Sequence, residues 1–350
     1  MKVLVLGGAG HFGGRICQRL ARSPGIEVIA PSRSELDIRS PNLAATLCDI
    51  GANVVVHTAG PFQAQDYAVA RACIAAACHY VDLADGREFV RDFATLDTDA
   101  RAAGITLVAG ASTLPGISSA VLEAVRPRYR TIECVEISIA PAHQTPRGLG
   151  TVSAVLSYCG RPFTSLRDGC WDTVYGWQDL RIQNYPGFRA RLSAACDVPD
   201  LELMPAHLDD LQTATFHAAL EAPWEHLTLW SLAWLSRLRL VRDWAVFAPF
   251  FSAISDRLIS LGSDRGGMRV HVAGTGPREE KLCVDWYLLS GSNHGPEIPC
   301  TPAIIMTKKL LNEESIARGA FACWNQFSVE DLMRELDEYD VEVVEEEYVD

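Results

Sequence analysis

The chain has no apolar run of the roughly 18 to 20 residues that a membrane-spanning helix requires. Its longest candidates, Leu227 to Ser236 and Trp244 to Ser255, reach about half to two-thirds of that length. It lacks basic excess: 31 Lys and Arg against 44 Asp and Glu leave a formal net charge of -13. That argues against nucleic acid as the main partner, because phosphate binding needs a basic surface. It lacks C-x-x-C spacing, and its 11 cysteines are scattered and odd in number, so neither a disulfide framework nor a zinc site is supported. Reduced thiols and a cytoplasmic protein are the expectation. His143 and His207 stand alone, so no metal site is expected. No G-x-S-x-G elbow is present, since Gly110-Ala-Ser112 lacks the second glycine in register, and a Ser-His-Asp hydrolase is not supported.

What is there begins at the first residues. Val3, Leu4, Val5 and Leu6 form an apolar run without alternation, the mark of a strand buried on both faces. This start is short and broken by glycine, unlike a secretory leader. Gly7-Gly-Ala-Gly-His11-Phe12-Gly13 follows, and then a helical pattern to about Arg22 carrying Ile16, Cys17, Leu20 and Ala21. Gly8, Gly10 and Gly13 match G-x-G-x-x-G, whereas Gly7, Gly10 and Gly13 match G-x-x-G-x-x-G, and spacing alone leaves both open. Either places a pyrophosphate on the free amides of a helix start.

Glu27 to Pro31 reads as the second strand, ending in Ser32-Arg33-Ser34. An NAD site would place Asp or Glu at that strand end for the ribose 2′-hydroxyl. Arg33, helped by the hydroxyls of Ser32 and Ser34, instead suits a 2′-phosphate, so NADP is expected over NAD. Strands over Asn53–His57, Tyr80–Asp85 and Ile105–Ala109 alternate with helices over 42–48, 66–78 and 93–103. Such alternation demands a doubly wound parallel sheet covered on both sides, with ligands at the carboxyl ends of its strands.

The periodicity then changes. Glu133–Ala140, Met268–Ala273 and Lys281–Ser290 alternate apolar and polar residues, as a one-sided sheet does. Between them a tryptophan-rich region, with 150–159 and 227–261, reads as helical. The expected organisation is an α/β domain over 1–128, to which 301–330 can return as a helix, an α+β domain with a mixed or antiparallel sheet over 129–300, and an acidic tail over 331–350. Carboxylates alternating with Val341, Val343 and Val344 make that tail an edge strand or a solvated end.

Taken together, Gly7–Gly13, Ala59-Gly60-Pro61-Phe62, Tyr80-Val-Asp82-Leu83, Gly110-Ala-Ser-Thr113-Leu-Pro115-Gly116 and Ile298-Pro-Cys-Thr-Pro302 make the chain resemble the saccharopine dehydrogenase (saccharopine reductase)-like family of NADP-binding oxidoreductases. The resemblance implies a Rossmann domain followed by a mixed-sheet domain that carries substrate contacts and often forms a homodimer. It implies hydride transfer to or from a small-molecule substrate with a C=N (imine or amino-acid type) or activated C=C bond. Matched residue by residue, Gly8, Gly10, Phe12 and Gly13 fall on the pyrophosphate loop, Arg33 on the 2′-phosphate position, Gly60-Pro61-Phe62 on the turn beside the nicotinamide ribose, and Thr113, Pro115 and Gly116 on the loop at the cleft mouth. The amino-acid-binding arginines of true saccharopine reductases have no match. A lipid-pathway enoyl reductase and a non-catalytic NADP-binding protein with an assembly or regulatory role are the alternatives; a short-chain dehydrogenase is disfavoured because no Tyr-x-x-x-Lys pair follows the expected strand.

A general acid should lie near the carboxyl strand ends, where Asp85, Asp82 and Tyr80 fall. His57, inside its strand, reads as a structural histidine. In 227–261, Trp230, Trp234, Leu238 and Val241 share a helical face beside Arg237, Arg239 and Arg242. Burial in the second domain or at a dimer contact is the expectation for that face, with a membrane surface as the alternative.

Overall fold

In the computed structural model, which describes residues 1–63, 65–145, 148–314 and 316–349, Lys2–Leu6 forms strand β1 with Val3, Leu4 and Val5 fully buried. The chain then runs through α1 (His11–Ala21), β2 (Glu27–Ile29), α2 (Leu43–Ile50), β3 (Val54–His57), α3 (Ala68–Ala75), β4 (His79–Asp82), α4 (Arg87–Arg91), α5 (Asp97–Ala102), β5 (Thr106–Ala109) and α6 (Ser118–Val125). Next come β6 (Thr131–Ala140), α7 (Leu149–Ser157), β7 (Pro162–Arg167), β8 (Cys170–Tyr175), β9 (Arg181–Gln183), β10 (Arg191–Ala195), α8 (Asp200–His207), β11 (Thr213–Leu220), α9 (Pro223–Arg237), α10 (Ala248–Leu258), β12 (Gly266–Thr275) and β13 (Lys281–Ser290). The last elements are α11 (Glu297–Leu311), β14 (Gly319–Ala322), α12 (Val329–Leu336) and β15 (Val341–Val349).

Two units result, residues 1–120 with 296–336 and residues 121–295 with 337 onward. The first is a six-stranded sheet in the order β14-β5-β4-β3-β1-β2, every neighbouring pair parallel. From β1 the chain moves outward to β2 and then back across to β3. The order therefore reverses between β1 and β3, and a parallel sheet opens a crevice there for a ligand. Arg19 of α1, almost completely buried, explains why the carboxy-terminal helices belong to this unit. Its guanidinium donates to Thr301 Oγ1 at 2.9 Å and to the Glu335 carbonyl at 2.8 Å, tying α1 to α11 and α12.

The second unit is built on a mixed sheet of nine strands, β15-β13-β12-β6-β11-β10-β9, with β7 joined to β11 and β8 to β7. β11 and β6 run parallel, while β12 pairs antiparallel with both β6 and β13. Arg191 is buried at one end of this sheet. It donates to the carbonyls of Ala140, Pro141 and Arg265 and pairs with Glu221 at 3.3 Å. Glu221 in turn accepts from the Ser263 amide at 2.8 Å.

Three expectations are corrected. The stretch 141–267 is not all helical: β7 to β11 lie in it, and β8 escapes periodicity because four of its six residues are exposed. The unit boundary falls at 120 rather than 128, and 296–336 rather than 301–330 returns to the first unit. Residues 331–350 are not a separate tail, since 329–336 is a helix of the first unit and 341–349 is an edge strand antiparallel to β13. Arg128 pairs with Glu345 and Glu347, which accounts for an ordered strand so rich in acid. Asp350 lies outside the described residues.

Candidate functional site

The reversal between β1 and β3 is where the glycines gather. Gly7 leaves β1 with φ +83°, a backbone that disfavours any side chain. Its carbonyl accepts the Gly10 amide at 2.8 Å, closing the turn. A Cβ on Gly13 would sit 2.3 Å from that same carbonyl and 2.6 Å from Thr58 Oγ1. The three glycines that touch one another are thus Gly7, Gly10 and Gly13, and the loop is built on the G-x-x-G-x-x-G spacing. Gly8 serves differently: a Cβ there would meet Ala30 at 2.6 Å. Gly10 precedes α1 with no side chain capping the helix, and the first turn holds no acid. Those first amides are where a helix favours an anion. A depression of about 460 Å³ beside them is lined by Ala9, Gly10, His11, Gly14, Arg15, Gln18 and Glu297. His11 Nε2 is buried there without a hydrogen-bond partner, and burial, then the Arg15 charge, lowers the His11 pKa. Phe12 stacks edge-on against the His11 ring at 5.3 Å. A cradle that any Cβ would fill, uncapped amides and an orphaned ring nitrogen fit a dinucleotide pyrophosphate.

On the β2 side the structure adds a residue that sequence reasoning passed over. Glu35 Oε2 accepts from the Ser32 amide at 2.7 Å and from the Ser32 hydroxyl at 2.8 Å. Those two bonds lower its pKa. A carboxylate does stand just past this strand end, but it is engaged by Ser32, and the Ser32 hydroxyl donates to it rather than standing free for a phosphate. Ser-x-x-Glu at 32–35 has capping-box spacing, the signal that could have found it. Arg33 is exposed and forms no ion pair among the described residues.

The turn after β3 is braced from behind. Gln65 Nε2 donates to the carbonyls of Ala59 at 2.7 Å and Pro61 at 3.0 Å. Its Oε1 must then accept, and it lies 3.0 Å from His57 Nε2. This assigns the His57 proton to Nε2. Burial pushes His57 down to about 4, so the ring is neutral. Gly60 and Pro61 are exposed at the crest of the turn. Phe62 is buried, packed edge-on against His57 at 5.2 Å and Phe89 at 5.5 Å.

The three acid candidates separate sharply. Asp82 is fully buried, with Oδ1 accepting the amides of Ala84 at 2.9 Å and Gly110 at 2.7 Å. Burial raises it to about 7 against those amides. Tyr80 is sealed in the core, stacked on Phe93 at 5.9 Å, and burial raises its pKa, with Asp82 adding to the rise. Neither reaches solvent: two apart on β4, they share one covered face of the sheet. Asp85 is the accessible carboxylate. It is exposed, and desolvation by the neighbouring protein raises its pKa. Gln63 Nε2 donates to its Oδ1 at 3.0 Å.

The 110–116 loop takes its shape from Asp82 and from packing. Pro115 is buried against Gly110. A Cβ on Gly116 would crowd Pro302 of α11 at 3.3 Å. Pro115 and Gly116 are thus buried and support the loop, while Thr113 is half-buried within it. The structure brings together Gly7, Gly13 and Ala59 around Thr58, with Gly10 against the Gly7 carbonyl, and Asp85 with Gln63; among the described residues Arg33 has no ion-pair partner. Among the described residues no group of three or more His, Cys, Asp or Glu side chains could hold a metal, and no helix is long and apolar enough to cross a membrane.

No protein-family model matches the chain, and no curated protein sequence matches it. Solved structures do. The amine dehydrogenase of Mycobacterium smegmatis aligns at TM-score 0.46 and 12% identity over 92% of this chain and 94% of that one. A biliverdin reductase of Synechocystis, in complex with biliverdin and NADP+, aligns at TM-score 0.40 and 12% identity over 96% of each. The apo saccharopine dehydrogenase (L-Glu forming) of Saccharomyces cerevisiae aligns at TM-score 0.69 and 16% identity, covering 99% of both chains. From end to end, then, this chain has the fold of that saccharopine dehydrogenase: a Rossmann-type parallel α/β unit and an α+β unit on a mixed sheet.

Proposed function

We propose that the chain is an NADP-dependent oxidoreductase that moves a hydride to or from a C=N or activated C=C bond of a small molecule. The observation that carries this reading is the glycine cradle at the β1–β3 reversal, with uncapped α1 amides on one side and the His57-braced turn on the other. NADP, when bound, supplies the hydride chemistry. The chain's own part is to hold and orient it. The amides after Gly10 take the pyrophosphate, and Gly60 and Pro61 offer exposed backbone on the nicotinamide side. Arg33, exposed and without a carboxylate partner among the described residues, supports a 2′-phosphate over a 2′-hydroxyl, and Glu35 is withheld from the ribose by Ser32. Asp85 holds the transferable proton at Oδ2, since Oδ1 is taken by Gln63. The imine class rests on the family resemblance, with which the L-Glu-forming activity named for the similar fold accords. The same resemblance supports a homodimer, and the scattered, odd-numbered cysteines support a cytoplasmic setting.

Enhanced NADPH fluorescence on mixing tests the cofactor, and loss of NADPH absorbance with a panel of imines and enoyl compounds tests the reaction. Absence of NADPH binding would overturn the reading. Binding with inertness across the panel would favour an assembly or regulatory role. For the 2′-phosphate, Arg33→Ala should weaken NADPH by about 1.5 to 3 kcal/mol and leave NADH little changed. Equal losses would sink that assignment.

A further inference from the structure

The tryptophan-rich stretch does not end in the core. In the second unit, α9 turns its Ala233 side into a cluster with Leu156, Trp177 and Ala194. Ala248 and Phe251 of α10 pack on the same cluster, and the outer sides of both helices are exposed. Leu238 is 63% exposed, Leu240 68%, Val246 74% and Phe250 62%, and Trp234 and Phe247 stand exposed beside them. The turn that carries these side chains is pinned. Trp244 Nε1 donates to the Leu232 carbonyl at 3.1 Å and to Ser236 Oγ at 2.8 Å, so α9 and the start of α10 are held together. An apolar surface of this extent on one pair of helices marks a contact.

The charge decides what it contacts. Arg237, Arg239 and Arg242 lie within the same turn, and none forms an ion pair with a carboxylate among the described residues. Arg237 instead lies over the rings of Tyr175 and Trp234, at 4.2 and 4.9 Å from their centroids. The chain as a whole carries -13, so a patch of unpaired arginines among exposed aromatics is an inversion of its surroundings. A two-fold contact centred on this patch would gather both copies' arginines into one interface, an unfavourable accumulation of like charge. An anionic lipid bilayer meets both features: aromatic and aliphatic side chains enter the headgroup boundary while the arginines stay among phosphates. We propose that the α9–α10 tip docks the protein on the surface of an anionic membrane, without crossing it.

Vesicle flotation tests this with the full chain. With phosphatidylcholine vesicles carrying about a third phosphatidylserine, the protein should float at low salt and be released at high salt. Arg239→Glu with Arg242→Glu should cut the bound fraction about ten-fold or more. Val246→Ser with Phe250→Ser, both largely exposed, should do likewise. Unchanged circular dichroism and melting in both double variants separate lost docking from lost fold. Tryptophan emission should shift to the blue on binding. Protein that stays in the soluble fraction at low salt overturns the proposal, as does equal flotation on pure phosphatidylcholine by wild type and charge variant. Light scattering that shows a dimer abolished by Phe250→Ser, with no flotation, would assign the patch to a second copy instead.

Discussion

Gln65 joins His57 to the backbone of the turn it stands behind: the amide accepts from the ring at 3.0 Å and donates to the Ala59 and Pro61 carbonyls. Gln65→Leu leaves the buried His57 nitrogen and the Ala59 carbonyl short of partners. The expected cost is about 1 to 3 kcal/mol of stability, read by denaturant unfolding. The turn should loosen as well, weakening NADPH by about ten-fold in a fluorescence titration. A variant as stable and as tight as wild type would remove the bracing role.

The same buried groups set a pH dependence with opposed signs. Asp82 is raised to about 7 from 3.8, so the folded state holds its proton more tightly. That contribution to stability is full below about 4 and is lost as pH rises to about 7. His57 is lowered to about 4 from 6.5, so its contribution is full above 6.5 and is lost as pH falls toward 4. Asp82→Asn keeps an acceptor for Gly110 and Ala84 and removes one of the two. Its stability should rise with pH more steeply than wild type between about 4 and 7, by up to about 1.4 kcal/mol per pH unit. Parallel curves for the two proteins would show that Asp82 does not titrate in that range.

Gly13→Ala tests the glycine cradle. With the Gly7 carbonyl 2.3 Å from the new methyl, α1 must move away from β1. A loss of about 1 to 3 kcal/mol in stability is expected, together with at least a ten-fold weaker grip on both NADPH and NADH. Gly14→Ala, where the nearest atom is 3.5 Å away, is the control for the steric effect and should leave stability unchanged.

Asp85→Asn keeps the shape and removes the proton. Turnover should fall by about 10² to 10⁴-fold with NADPH binding intact. In the reductive direction the wild-type rate should decline as pH rises through the Asp85 pKa, which burial holds above the ordinary carboxylate range. The variant should lack that limb. A variant with the wild-type pH profile would move the acid elsewhere.

The first unit was legible because buried parallel strands read as apolar runs and the glycine loop marks its own turn. Spacing could not choose between two glycine patterns, because the choice depends on which carbonyl Gly13 approaches. Nor could it rank three acids within six residues: Asp82 and Asp85 differ only in which way the backbone turns after β4. Glu35 was hidden by its role, since a carboxylate that caps its own loop has the same sequence position as one awaiting a ribose. Of the short strands over 162–195, β8 faces solvent along most of its length and β10 is covered on both faces, so neither carries an alternating pattern. The tryptophans of α9 show a helical stripe in either case. Whether anything in the chain covers a stripe is a question of tertiary packing, which periodicity does not hold.

The carboxy-terminal crossing has a consequence for how the protein is made. Residues 296–336 supply α11, β14 and α12 to one sheet, and 341–349 supply the edge of the other. During synthesis both β5 and β13 therefore wait with open edges until residues 319–349 have been made. Neither unit can finish early, and a message cut short after residue 295 yields two unfinished sheets rather than one sound domain.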